Sequence, residues 1–276
     1  DLHSLRRRQR QMCIRDSDKA WLSNGFSISP LELPLKPGLF IAKPSPFYGN
    51  FGVFEDSLPD GYGRNLLHKA LLKEGINDTQ LSALDRLSLV GNGGMGALTY
   101  EPETSIGTSH EPLDFDLLQE KALEVLHEKN DDDVELLLFN SRNSGGCRPK
   151  ALFSNNEGHW MVKFRHTYDP QDMGLIEFHY NELARQCGIR VPDFKLINGK
   201  YFTTRRFDIS QDGERLHTVT AGGLLNIPLS NPILDYSNLL ALTGYLTQNP
   251  LEVEEMFRRM VFNLSLIHIS EPTRPY

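Results

Sequence analysis

Asn143 to Phe164 is the stretch that most restricts what this chain can become. It reads Asn-Ser-Gly-Gly-Cys-Arg-Pro-Lys-Ala-Leu-Phe, then after Ser154 a polar turn at Asn155-Asn156-Glu157-Gly158, then His-Trp-Met-Val-Lys-Phe. Gly145 and Gly146 let the backbone approach a bulky anion, and Arg148 and Lys150 set positive charge beside them. Two short apolar runs around a polar turn predict a hairpin. Strand alternation sends Val162 and Phe164 to one face and Lys163 to the other, towards the loop, where a lysine can reach nucleotide phosphates. The same residues also describe a glycine turn followed by an amphipathic hairpin with a solvated lysine.

The two ends of the chain read differently from its body. Asp1 to Ser17 carries the cluster Arg6-Arg7-Arg8-Gln9-Arg10 without apolar periodicity, a composition that could serve as a basic arm for nucleic acid. Arg7 to Asp16, however, translates CGT CGG CAG CGT CAG ATG TGT ATA AGA GAC, which looks like a transposase-based sequencing adapter. Leu264 to Arg274 matches the partner adapter in the same way. Residues 1–17 and 264–276 are therefore expected to be adapter-encoded, with residues 18–263 the native part and open at both ends.

Setting those ends aside changes the charge. They hold six basic and three acidic residues, so the net charge moves from −7 to −10. An acidic body argues against broad nucleic-acid binding by this chain alone. Of the three cysteines Cys13 falls in the first end, and Cys147 and Cys187 are too few for a disulfide framework or a thiolate zinc site. No apolar run approaches the length of a membrane span, and the expected setting is a reduced cytoplasm.

Taken in order, Trp21 to Phe54 is rich in proline and aromatic residues and predicts irregular β-structure. Asp60 is placed to cap a helix carrying Leu66, Leu67, Ala70 and Leu71, which ends near Gly75. A second helix is expected from Asp78 or Thr79, with Leu81, Leu84, Leu87 and Leu89. Gly91-Asn92-Gly93-Gly94-Met95-Gly96 matches the glycines of a dinucleotide fingerprint, but a helix precedes it and a strand-like run follows, so it is read as a turn. Pro102 to Pro112 is a polar linker and the candidate module boundary. Helices are expected over Phe115–Glu128, Asp133–Phe139 and about Leu175–Gln186. Glu177 is placed in the first turn of the last of these, either for the helix dipole or as a partner of Lys163. Val191–Leu196 and Tyr201–Arg205 around Asn198-Gly199 predict a second hairpin, closed by Arg206-Phe207-Asp208. Helices follow at about Tyr236–Thr247 and Leu251–Asn263. Loop, hairpin, helix, hairpin and then helices is the order of a protein-kinase-like fold, in which nucleotide lies between lobes.

Four motifs carry a closer resemblance: Ser57-Leu58-Pro59-Asp60-Gly61-Tyr62-Gly63, Gly145 to Lys150, Val162-Lys163-Phe164, and Arg206-Phe207-Asp208. In this order they resemble the HipA toxins, serine/threonine kinases of bacterial type II toxin and antitoxin systems. The resemblance implies an α+β, HipA-type protein-kinase-like fold, with a β-rich N-terminal module and N-lobe followed by an incomplete helical C-lobe. The modules would span residues 18–108, 109–208 and 209–263.

It further implies that Gly145, Gly146, Cys147, Arg148, Pro149 and Lys150 line the ATP phosphates. Lys163 would be the phosphate-binding lysine, Glu177 its partner, and Arg205, Arg206 and Phe207 the adenine hinge. ATP and Mg2+ would be the cofactors. The partners would be a protein substrate, such as an aminoacyl-tRNA synthetase, and a small helix-turn-helix antitoxin of the HipB type that supplies the DNA contacts. Ser144 is a candidate for autophosphorylation, with Ser141 two residues before the usual register at Asn143.

The family's catalytic aspartate and its magnesium-binding asparagine are expected directly after Asn263. The adapter-like run begins there, so this chain is expected to be inactive. The alternative is a non-catalytic relative that binds nucleotide or antitoxin in autoregulation.

Overall fold

A computed structural model of the chain describes residues 14–15, 18–104, 114–141, 145–230 and 233–270. The first part holds a short strand β1 (Ile14–Arg15), helix α1 (Lys19–Asn24), strand β2 (Phe40–Ile41) paired antiparallel to β1, and the single turn α2 (Gly52–Glu55). Extended pairing between Trp21 and Phe54 is thus sparser than its composition predicts. Pro30, Pro34, Pro37, Pro44 and Pro46 lack the N–H groups that a ladder needs. Helix α3 (Gly61–Lys73) follows, burying Tyr62, Leu66, Ala70 and Leu71 along one side. Gly75, at φ +72, lets the chain turn out of it.

The next helix, α4 (Ala83–Val90), begins later than expected because Ser82 and Asp85 form a reciprocal capping box, and Asp78–Gln80 is only a 3-10 turn. Gly91–Gly96 is a turn, as read.

The central layer is a four-stranded antiparallel sheet built from β3 (Lys150–Asn155), β4 (Gly158–Lys163), β5 (Phe194–Ile197) and β6 (Tyr201–Arg205), in the order β3-β4-β6-β5. Both predicted hairpins are present. Asn198 and Gly199 take φ +54 and +65, the left-handed pair that a tight hairpin demands. The strand before them starts at Phe194 rather than Val191, beyond Pro192.

One face of the sheet carries Ala151, Val162, Phe164 and Tyr201. It packs on α3, α5 (Phe115–Leu126) and α6 (Val134–Ser141) in one core with Leu66, Ala70, Leu118, Ala122, Val125, Val134 and Leu137. Helix α3, from the N-terminal module, is thus a wall of the lobe's core. The other face is covered by α7 (Met173–Gln186), whose Phe178 ring meets Phe194 edge-on at 5.3 Å. A second core of Ile28, Leu33, Ala42, Phe51 and Val53 draws in Leu98 and Val219. The chain continues through α8 (Ala221–Leu225), α9 (Tyr236–Thr247) and α10 (Pro250–Ser270), the last running past the predicted end at Asn263.

Candidate nucleotide site

The register of the first hairpin sets the site. Lys150 opens β3 and faces Lys163, the last residue of β4, so both side chains leave the sheet on the side opposite Ala151 and Val162. Helix α7 lies on that side, and the Lys163 ammonium donates to the Glu177 carboxylate. The same Nζ stands 5.2 Å above the Phe202 ring. Because α7 starts at Met173, Glu177 sits past its first turn. The dipole account of that residue therefore fails, and the ion pair accounts for its position.

Three neighbours hold the glycine loop in front of these lysines. Lys150 turns its Nζ back to the carbonyl of Gly145. The N–H of the same peptide unit, on Gly146, donates to Asp60 Oδ1 at 2.6 Å, and the Gly146 carbonyl accepts from Tyr62 N–H at 3.1 Å. Gly146 sits at φ +102, a conformation open to glycine. Gly61 is equally constrained, since it has φ +43 and a Cβ there would lie 2.5 Å from the Gly146 carbonyl oxygen. Asp60 does occupy the N-cap position of α3, but its side chain makes no capping bond, contrary to the sequence expectation. The carboxylate goes to the loop instead.

Arg148 is the residue that sequence reasoning placed least well. Its guanidinium forms a two-pronged pair with Asp169, both contacts 2.7 Å, and Asp169 also accepts from His166 N–H at 2.8 Å. Its charge is matched by this carboxylate, which no motif in the sequence marks. Pro149 is fully buried and its carbonyl accepts from Phe164 N–H at 2.9 Å, while Cys147 is an exposed free thiol. Lys150 is buried, and burial first and the nearby Lys163 second push its pKa down.

The segment Arg205–Phe207 leads out of the end of the inner strand β6. Arg205 N–H donates to Asp193 O and Arg206 N–H to His159 O, at 2.7 and 2.9 Å. The Arg206 guanidinium grips Asp208 at 3.0 and 2.6 Å, so it is structural, and Phe207 is exposed. Asp208, with no exposed surface, accepts in turn from Gly96 N–H at 2.8 Å. Arg215 adds bonds to the carbonyls of Gly96 and Asn92 at 2.6 and 2.9 Å. The glycine turn that imitates a dinucleotide fingerprint is therefore a docking loop for the segment after β6.

These carboxylates give an acid limit to stability. Arg148, with help from His166 N–H, holds Asp169 below the usual carboxylate range. Burial would raise Asp208, but Arg206 and Gly96 N–H outweigh it and the net shift is downward. A depressed folded-state pKa stabilises above the unfolded value, about 4, and that contribution is lost as pH falls through the lower folded value. Urea unfolding between pH 7 and pH 2 is expected to show stability dropping below about pH 4. Asp169→Asn should be less stable at neutral pH with a flatter acid limb; an unchanged acid limb would refute this assignment.

Ser144 lies outside the described residues, and Ser141 is buried on α6. Among the described residues no group of three or more His, Cys, Asp or Glu side chains is placed to hold a metal ion. No helix among them is long and apolar enough to cross a membrane.

A small antiparallel sheet with a lysine on an inner strand, paired to a glutamate on the covering helix behind a glycine loop, defines a protein-kinase-like fold. Comparison with protein families narrows this. Residues 3–101 match the HipA N-terminal domain and residues 143–268 the HipA-like C-terminal domain, and the chain belongs to the HipA family. Among solved structures it resembles a chain of the Shewanella oneidensis MR-1 toxin–antitoxin complex of HipA, HipB and its operator DNA. The TM-score is 0.60 at 17% identity, over 91% of this chain and 63% of that one. The chain thus spans less than two thirds of that relative's length. A comparison with curated proteins gives no match.

Proposed function

We propose that this chain is the nucleotide-binding portion of a serine/threonine kinase toxin that uses ATP. The observation that carries the reading is the Lys163–Glu177 pair beside Lys150 and the Gly145–Gly146 loop. Bound ATP would supply the phosphoryl group. Lys163, oriented by Glu177, and Lys150 would hold its phosphates, and the glycines would let the loop backbone close over them. At the hinge the N–H groups of Arg205 and Arg206 are engaged within the fold, which leaves the Phe207 amide and the carbonyl oxygens to meet the adenine edge. Mg2+ has no ligand set among the described residues, and no step is assigned to it.

The substrate in this reading is a serine of a translation component such as an aminoacyl-tRNA synthetase. The partner is a small helix-turn-helix antitoxin of the HipB type through which the complex reaches DNA. Support for that partner is the likeness to a chain from a HipA, HipB and operator DNA complex. The acidic balance of the chain, −7 overall, fits DNA contact made by a partner.

The chain itself binds nucleotide in this reading but transfers no phosphate. The test is calorimetry with ATP on the purified chain, followed by incubation with radiolabelled ATP and a synthetase. Saturable ATP binding with no label on either protein is the expected result. No binding at millimolar ATP would remove the nucleotide reading, and label on the synthetase would remove the claim of inactivity.

A further inference from the structure

We infer that the Asp60 carboxylate is an internal stand-in for a nucleotide phosphate, holding the Gly146 amide until nucleotide displaces it. The inference rests on the nucleotide-binding reading of the loop given above.

The geometry points to competition. Asp60 stands where its side chain would normally satisfy the free N–H groups of α3, yet it makes no such bond. Its carboxylate accepts from Gly146 at 2.6 Å, the short distance of a charge-assisted hydrogen bond. It also lies against Gly145, where an added Cβ would be 3.2 Å from Asp60 Oδ2. The two glycines therefore make room for an anionic oxygen, and that oxygen belongs to the chain. The peptide unit between them is held from both ends, its carbonyl by Lys150 and its N–H by Asp60. Those two donors, the Gly146 amide and the Lys150 ammonium, are the ones a phosphate would use.

Charge gives a second, independent line. Arg148 is paired with Asp169 and Lys163 with Glu177, and Lys150 is held by the Gly145 carbonyl. Each of the three cations around the loop is thus engaged before any ligand arrives, two of them by a carboxylate. An incoming phosphate meets a filled set of partners and a like charge beside its best amide donor. Releasing that amide costs affinity in proportion to the phosphate contacts and leaves the nucleoside part untouched.

The inference is tested by measuring the affinities of ATP, ADP and adenosine for the full chain and for Asp60→Asn and Asp60→Ala. Asn keeps the size and an acceptor while removing the charge; Ala removes both. Both variants are expected to bind ATP and ADP about tenfold more tightly, the equivalent of one charge-assisted hydrogen bond, with adenosine unchanged. Weaker or equal ATP affinity in both variants, beside measurable binding by the parent chain, would make Asp60 a brace for the loop and overturn the competition. A tightening that adenosine shares would overturn it as well, since the effect would not follow phosphate. Absence of binding by all three proteins would instead bring down the nucleotide reading, and this inference with it.

Discussion

Replacing Asp208 by alanine is expected to lower the unfolding free energy by about 3–5 kcal/mol, the usual effect of removing one partner of a buried ion pair. Asp208 has no exposed surface and Arg206 is nearly enclosed, with 12% of its side chain accessible. The variant leaves the guanidinium without its counter-charge in that enclosure and orphans Gly96 N–H. Asp208→Asn keeps the volume and one acceptor but loses the charge, and a smaller drop is expected. Urea unfolding of both variants at pH 7 measures this. A loss of less than about 1 kcal/mol in the alanine variant would mean that water replaces the carboxylate, against the burial seen here. Loosening of the Gly91–Gly96 turn should accompany the loss, seen as faster amide exchange at Gly96, because Asp208 is the acceptor for that amide.

Loss of the Lys163 charge should be the most damaging change to nucleotide binding. Lys163→Met keeps most of the aliphatic stem and removes the ammonium that stands over Phe202, leaving the half-buried Glu177 carboxylate facing incoming phosphates without its partner. Losing one charge-assisted contact and gaining one repulsion predicts ATP affinity reduced about 100-fold. Glu177→Gln frees the lysine from its orienting partner but retains its charge, so about a tenfold loss is expected. Calorimetric titration of both variants with ATP checks the order. Equal losses would assign Glu177 a direct contact with nucleotide, and no loss in Lys163→Met would remove Lys163 from the site.

Local patterns in the sequence led to most of the elements that build this site. The Asn198-Gly199 hairpin, the alternation that separates Val162 from Lys163, and the helix carrying Glu177 all follow from spacings of a few residues. What stayed hidden is held by partners distant along the chain. Asp60 meets Gly146 across 86 residues and Asp208 meets Gly96 across 112, and no short-range rule connects either pair. Local reasoning also actively misdirects at Asp60, because an aspartate ahead of a helix is a strong capping signal and the fold spends it elsewhere. Arg148 was identified as a cation, but its neutralisation by Asp169 depends on the loop between β4 and α7, which carries no periodic pattern. The late start of α4 comes from Ser82 and Asp85, a capping pair present in the sequence but missed in placing the start at Asp78 or Thr79.

Helix α3 has a consequence for how such proteins can be recombined. It precedes the polar linker in sequence, yet Leu66 and Ala70 are wholly enclosed by residues that come after it. The boundary between the two family matches is therefore a seam in the text of the chain and not in its interior. An amino-terminal half exchanged between relatives would arrive with a helix cut for another protein's socket, formed by α5, α6 and the β3–β4 face. Only halves whose contacting surfaces fit could be traded, even where a linker would allow them to part.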